Sequence, residues 1–115
     1  MDYIVARVLQ MKDYSPIDAM FDLIPENPDL IEVACITLPA FTTNTKAVEI
    51  AFDITTDHNI PWYTNTKNSE LEVNDNCVHG CRSTGIGDYV SVTRNNTVTM
   101  YRCSSFGWVQ IKQNT

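Results

Sequence analysis

No apolar run in this sequence approaches the roughly 18–20 residues needed to cross a bilayer. The first residues, Met1-Asp2-Tyr3-Ile4-Val5-Ala6-Arg7, lack the basic start and long apolar stretch of a signal peptide. Both absences lead to the expectation of a cytoplasmic protein. Asn95-Asn96-Thr97 spells a glycosylation acceptor, which has no meaning without secretion. Phosphate-loop chemistry is missing too. Arg82-Ser83-Thr84-Gly85-Ile86-Gly87-Asp88 has glycines and hydroxyls, but not the G-x-x-x-x-G-K-[ST] spacing, and no helix follows to offer its N-terminus. A phosphatase loop fails on spacing, because Cys77 precedes Arg82 by five positions rather than six. Paired short zinc knuckles are absent: Cys77, His79, Cys81 and Cys103 supply soft ligands at none of the strong spacings, so no metal is expected. In a reducing compartment the four cysteines, Cys35 included, are expected to be free thiols. His58 and His79 have no nucleophile or orienting acid at motif spacing, and neither an enzyme nor a cofactor is expected.

Positive charge is scarce in the first part of the chain and negative charge in the second. Residues 1–75 hold 13 acids and 4 bases, and residues 76–115 hold a single acid, Asp88, against Arg82, Arg94, Arg102 and Lys112. The total is −6 over 115 residues, enough chain for one domain with a modest core. This overall acidity opposes tight nucleic-acid binding, whose phosphate contribution grows with the bases presented on one face.

What is present reads as strands and helices in alternation. Residues 3–10 are β-branched and mostly apolar, as in a central strand. Ser15 and Pro16 are an N-cap and first helical position, Ile17, Met20, Phe21 and Ile24 recur at helical spacing, and Pro25 and Pro28 end that helix. Its Asp18, Asp22 and Glu26 share one face and form a candidate surface for a basic partner. Leu30 to Leu38 reads as a second strand. Residues 45–56 are ambiguous: Val48, Ile50, Phe52 and Ile54 alternate as in a strand, Val48, Ala51, Phe52 and Thr55 make a helical stripe, and the count leans to strand. Residues 57–80 are polar and turn-rich, a long loop that is functional or mobile. Residues 89–93 and 97–103 alternate around Asn95-Asn96, a hairpin with suitable turn chemistry, and Phe106 to Ile111 reads as a short third strand or closing segment.

The stretch Arg82 to Asp88 suits the entrance to that hairpin, with Ser83, Thr84 and Asp88 satisfying backbone amides locally. The other reading is a binding edge centred on Arg82, joined by Ser83, Thr84, Asp88 and the aromatics Trp62 and Trp108. Trp62 and Trp108 also suit the core between sheet and cover. Continued through Tyr89-Val90, then Tyr101-Arg102-Cys103 and Phe106-Gly107-Trp108-Val109-Gln110-Ile111, the stretch resembles a family of small bacteriophage and mobile-element proteins. Their signature is approximately RSTSVGD-[VIY]-[VI], followed by a hairpin, a Tyr-containing strand and a G-[FW] segment. The resemblance covers roughly residues 47–111, with Gly85-Ile86 where Ser-Val is usual. It implies a helix at 45–56 leading to Asn59-Ile60-Pro61-Trp62, and a phage or plasmid origin, with no established activity attached.

The resulting expectation is a single α+β domain over residues 1–115, with a mostly antiparallel sheet, two helices on one face and a C-terminal β-hairpin. The expected function is that of a non-enzymatic phage accessory protein that binds and modulates a host protein, as an anti-defence or host-takeover factor. The alternative is a weak nucleic-acid-binding module using Arg82, Arg94 and Arg102 with the aromatics. A third reading, a small enzyme using His79 or Cys81, has no motif behind it.

Overall fold

The computed structural model describes residues 3–15, 28–57, 61–64, 71–77, 80–104 and 106–111. Six strands run β1 (Tyr3–Met11), β2 (Leu30–Pro39), β3 (Leu71–Val73), β4 (Tyr89–Arg94), β5 (Thr97–Ser104) and β6 (Gly107–Ile111). They form one sheet in the order β3-β2-β1-β4-β5-β6. Every neighbouring pair is antiparallel. Helix α1 (Asn44–Ile54) packs on β1 and β4. No helix among the described residues is long and apolar enough to cross a membrane.

The sheet has its core on one side because β1 alternates. Ile4, Ala6, Val8 and Gln10 are buried, while Val5, Arg7 and Leu9 are only partly so. Register places Ala6 opposite Ile36 and Val92, and Val8 opposite Ala34 and Val90. These residues, with Ile4 and Leu38, are roofed by Ala47, Val48 and Ala51 of α1 and by Trp62. Each fully buried Val or Ile here stabilises the fold by roughly 1.5–3 kcal/mol relative to exposure. The register breaks between Val8 and Leu9, which face Ala34 and Glu32, leaving Val33 as the extra residue of a bulge. That bulge lets the adjacent Val33 and Ala34 both be buried.

Residues 44–54 are helical, which overturns the lean of the periodicity toward strand and agrees with the helix implied by the family resemblance. The alternating pattern assigned Ala47 and Ala51 to the polar side, yet both are fully buried. Two features decide for helix. Thr43 is an N-cap in extended conformation whose Oγ1 accepts from the Lys46 N–H at 3.2 Å. The small Ala47 and Ala51 face the sheet beside Val48, while Glu49 and Asp53 face solvent.

The turn-rich region 57–80 contains more than loop. A 3-10 turn at Trp62–Thr64 carries the buried Trp62, and a second lies at Asp75–Cys77. Between them β3 adds to the edge of the sheet, with Cys35 opposite Glu72 and Ile36 opposite Leu71. Cys77 and Cys81 are joined in a disulfide, a correction to the expected thiols, while Cys35 and Cys103 keep theirs. The correction has a local cause: the turn at Asp75–Cys77 brings two cysteines four apart in sequence within bonding reach.

The expected hairpin is β4 and β5, joined by Asn95 and Asn96 at φ +49° and +68°. This is a two-residue loop of the left-handed kind that matches strand twist. It is extended by β6 into a three-strand meander rather than standing as a terminal hairpin. Of the two helices expected on the sheet, α1 is the one among the described residues; the other, expected from Pro16 onward, lies outside them.

Candidate functional site: the Arg82–Asp88 knot and the cleft beside Trp108

Asp88 is fully buried at the start of β4, and its two carboxylate oxygens accept four hydrogen bonds. Arg82 donates to both, Nη1 to Oδ2 at 2.6 Å and Nη2 to Oδ1 at 2.7 Å. The Met11 N–H reaches Oδ1 at 2.9 Å and the Gly85 N–H reaches Oδ2 at 2.8 Å. This forked pairing is the arrangement in which Arg and carboxylate interact most strongly. Arg82 also donates to the carbonyls of Ser83 (3.0 Å) and Met11 (3.2 Å), and its guanidinium carbon lies 3.8 Å from the centre of the Tyr14 ring. Both terminal nitrogens are therefore engaged, and one face of the group is covered.

The backbone of the loop explains its composition. The Asp88 N–H donates to Gly85 O at 3.0 Å, closing a turn in which Gly87 sits at φ +95°. A side chain at 87 would be strained there, while Gly85 does not take positive φ. The Gly87 N–H then meets Cys103 O, and the Cys103 N–H meets Asp88 O, which starts the β4–β5 ladder.

The remaining polar groups of the loop point inward as well. Gln10 Nε2 donates to Thr84 Oγ1 (3.2 Å), Thr84 Oγ1 to Thr55 Oγ1 (2.7 Å), and Thr55 Oγ1 to Ala51 O (2.8 Å). This chain runs from β1 through the loop to the end of α1. The Arg82 carbonyl accepts from Gln10 Nε2 and from Trp62 Nε1. Ser83 Oγ accepts from the Asp57 N–H, and Asp57 Oδ1 accepts from the Trp62 N–H, each at 2.8 Å. Arg82, Ser83, Thr84, Asp88 and Trp62 are thus brought together, and they bind one another. The knot ties β1, α1, the Trp62 turn and the meander at one end of the sheet.

Trp108 belongs elsewhere. It lies on β6, diagonal to Tyr101 of β5 on the α1 side of the sheet, with its ring edge-on to Phe52 at 5.7 Å. Beside it is a cleft of about 230 Å³ lined by Thr45, Val48, Glu49, Tyr101, Gly107 and Trp108. Phe106, at the start of β6, is 96% exposed, and Val109 is also exposed. Strand β6 ends the sheet order, so its outer edge has no strand paired to it among the described residues.

The arginines of the nucleic-acid alternative do not form one surface. Arg82 is held in the knot. Arg94 donates to the carbonyls of Ala40 and Thr42 and to Asn44 Oδ1, pinning the connection that leads into α1. Arg102 pairs in register with Tyr89, so it projects from the face opposite Val90, Val92 and Arg94; its buried Nε has no hydrogen-bond partner among the described residues. Among the described residues no cluster of three His, Cys, Asp or Glu side chains could hold a metal ion. Cys103 is buried. Burial pushes the Cys35 thiol above its ordinary value; Arg7 opposes that rise, and Glu32 and Glu72 add to it. His58, His79 and the acidic row Asp18, Asp22 and Glu26 lie outside the described residues.

Gln10, Thr55, Asp57 and Tyr101 are the participants that sequence reasoning passed over. Gln10 had a signal, a polar residue on the same parity as the core-facing Ile4, Ala6 and Val8. Tyr101 and Trp108 share a face once β5 and β6 pair. Compared with known proteins, the chain matches no family model, no curated protein and no solved structure.

Proposed function

We propose that this chain is a non-enzymatic binding protein that docks on a host protein and modulates it, the accessory role implied by the phage-type signature at residues 82–90. The observation that supports this reading is the exposed end of the meander. There the edge of β6, with no strand paired to it among the described residues, the 96% exposed Phe106 and the cleft beside Trp108 lie together, and the exposed Val109 projects from the opposite face of the same strand. A strand edge offers a row of backbone donors and acceptors to an incoming segment, and neighbouring apolar side chains and pockets give such pairing its specificity. The Arg82–Asp88 knot supports the same reading from the other direction. Its donors and acceptors satisfy the protein itself, which suits a rigid scaffold better than a site that must exchange partners.

The test is retention of a protein from bacterial host lysate on the immobilised chain, with and without nuclease, compared across wild type, Phe106→Asp and Val109→Lys. A protein retained despite nuclease by the wild type, and reduced at least tenfold by either variant at unchanged unfolding midpoint, is the expected result. Retention that the two variants leave untouched sinks the docking surface. Retention abolished by nuclease shifts the function to nucleic acid.

A further inference from the structure

The cleft between α1 and the meander has a chemistry that narrows what its occupant can be. Its lining joins the aromatic residues Tyr101 and Trp108, the buried Val48, and the exposed Glu49 and Thr45 of α1. The lining holds one formal charge, the carboxylate of Glu49, and no cation. Among the described residues Glu49 makes one ion-pair contact, a long one of 3.9 Å with Lys46 between two exposed side chains, a geometry that holds neither group firmly. At about 230 Å³ the cleft is smaller than the roughly 300–1,000 Å³ of small-molecule pockets. It has the capacity of one long side chain. Gly107, also in the lining, takes a φ of +114°, which disfavours any side chain there.

We propose that this cleft is a subsite for one arginine or lysine side chain, presented by an extended protein segment laid along β6. Aromatic faces attract a guanidinium or ammonium through the ring quadrupole, and their apolar surface accepts the methylene stem. Glu49 receives the charged head at the rim. An extended segment paired with β6 would point alternate side chains to the α1 side, so one of them is carried over the cleft. The net charge of −6 favours the long-range approach of a basic segment, and at the cleft the negative charge comes from Glu49 of α1, since residues 76–115 hold four bases against one acid. This proposal rests on the docking reading above, and it adds the identity of the anchor.

The experiment uses the uniformly 15N-labelled full chain and small probes: acetyl-arginine amide, acetyl-lysine amide and the neutral acetyl-norleucine amide. The readout is the pair of indole N–H signals in a proton–nitrogen correlation spectrum. Trp62, bonded to the Arg82 carbonyl within the core, is the internal control. The expected result is a saturable shift of the Trp108 indole with either cationic amide and little with norleucine amide, while Trp62 stays in place. Glu49→Gln should weaken binding about threefold, and Glu49→Lys should weaken it further. Equal shifts with norleucine amide, or none with either cation, overturn the assignment. Those outcomes separate cleanly from the docking reading. Loss of partner retention in Phe106→Asp without any Trp108 response keeps the docking surface and removes the cationic anchor. A Trp108 response with retention indifferent to Phe106 and Val109 does the reverse.

Discussion

Replacing Asp88 by alanine removes the acceptor of four hydrogen bonds at a fully buried position. It strands the Met11 and Gly85 N–H groups and leaves the Arg82 guanidinium without its counter-charge. Arg82 retains about a quarter of its exposure, 27%, so part of its charge can still reach water. Removing one partner of a buried ion pair typically costs about 3–5 kcal/mol, much of it from the charge left behind. Partial exposure of Arg82 argues for the lower end of that range, and two orphaned amides push the other way. The expected loss is therefore about 4 kcal/mol, out of a total stability on the order of 5–15 kcal/mol for a domain. With a urea slope of roughly 2 kcal/mol per molar, the unfolding midpoint should fall by about 2 M. Asp88→Asn provides the graded case, keeping one acceptor oxygen but presenting an amide group to the guanidinium, and should cost about 2–3 kcal/mol. Pairing either change with Arg82→Met should recover part of the loss, since the stranded charge is gone while the two amides remain unmet. If Asp88→Ala shifts the midpoint by less than about 0.5 M, the knot is not holding the fold together. The ion pair would then have to be explained by a ligand that uses it.

Two further outcomes follow from the hairpin loop and from Cys35. Asn96 sits at φ +68° in a two-residue loop, so Asn96→Gly should raise stability by a few tenths to about 1 kcal/mol. Asn96→Ala should lower it by about 1 kcal/mol; equal midpoints for the two variants would refute the left-handed geometry. Because burial raises the Cys35 thiol in the folded protein, the native state keeps that proton to higher pH than the unfolded chain. The stabilisation is complete below the unfolded thiol value of about 8.5 and is lost as pH rises through the folded value. Iodoacetamide at pH ~8 should therefore modify Cys35 several-fold more slowly than a model thiol peptide, as read by peptide mass mapping. An equal rate would show that its surroundings do not suppress the thiolate.

Much of the sheet is determined locally. The alternation of Ile4, Ala6 and Val8 needs no knowledge of neighbours, because side chains on a strand change face at every residue. Asn95-Asn96 marks its turn for the same local reason, being residues that tolerate positive φ. The Ser/Thr/Gly/Asp composition of residues 83–88 likewise indicates a hairpin entrance, and Gly87 and Asp88 serve it. Tertiary structure decided the rest. Residues 44–54 carry both periods at once, and what selects the helix is a sheet face of small and branched residues on which Ala47, Val48 and Ala51 can lie close. Leu71–Val73 is too short to announce itself, and becomes a strand only because β2 presents a free edge to it. Arg82 and Asp88 are six apart in sequence, a spacing common to any exposed pair. Their enclosure depends on Met11 and Tyr14 at the end of β1 and on Trp62 arriving from two other parts of the chain. The cleft beside Trp108 is likewise invisible in one dimension, since Glu49 and Tyr101 meet only when α1 crosses the meander. Local sequence sets the backbone's preferences residue by residue. Which polar groups end up facing each other rather than water is settled by the packing of distant segments.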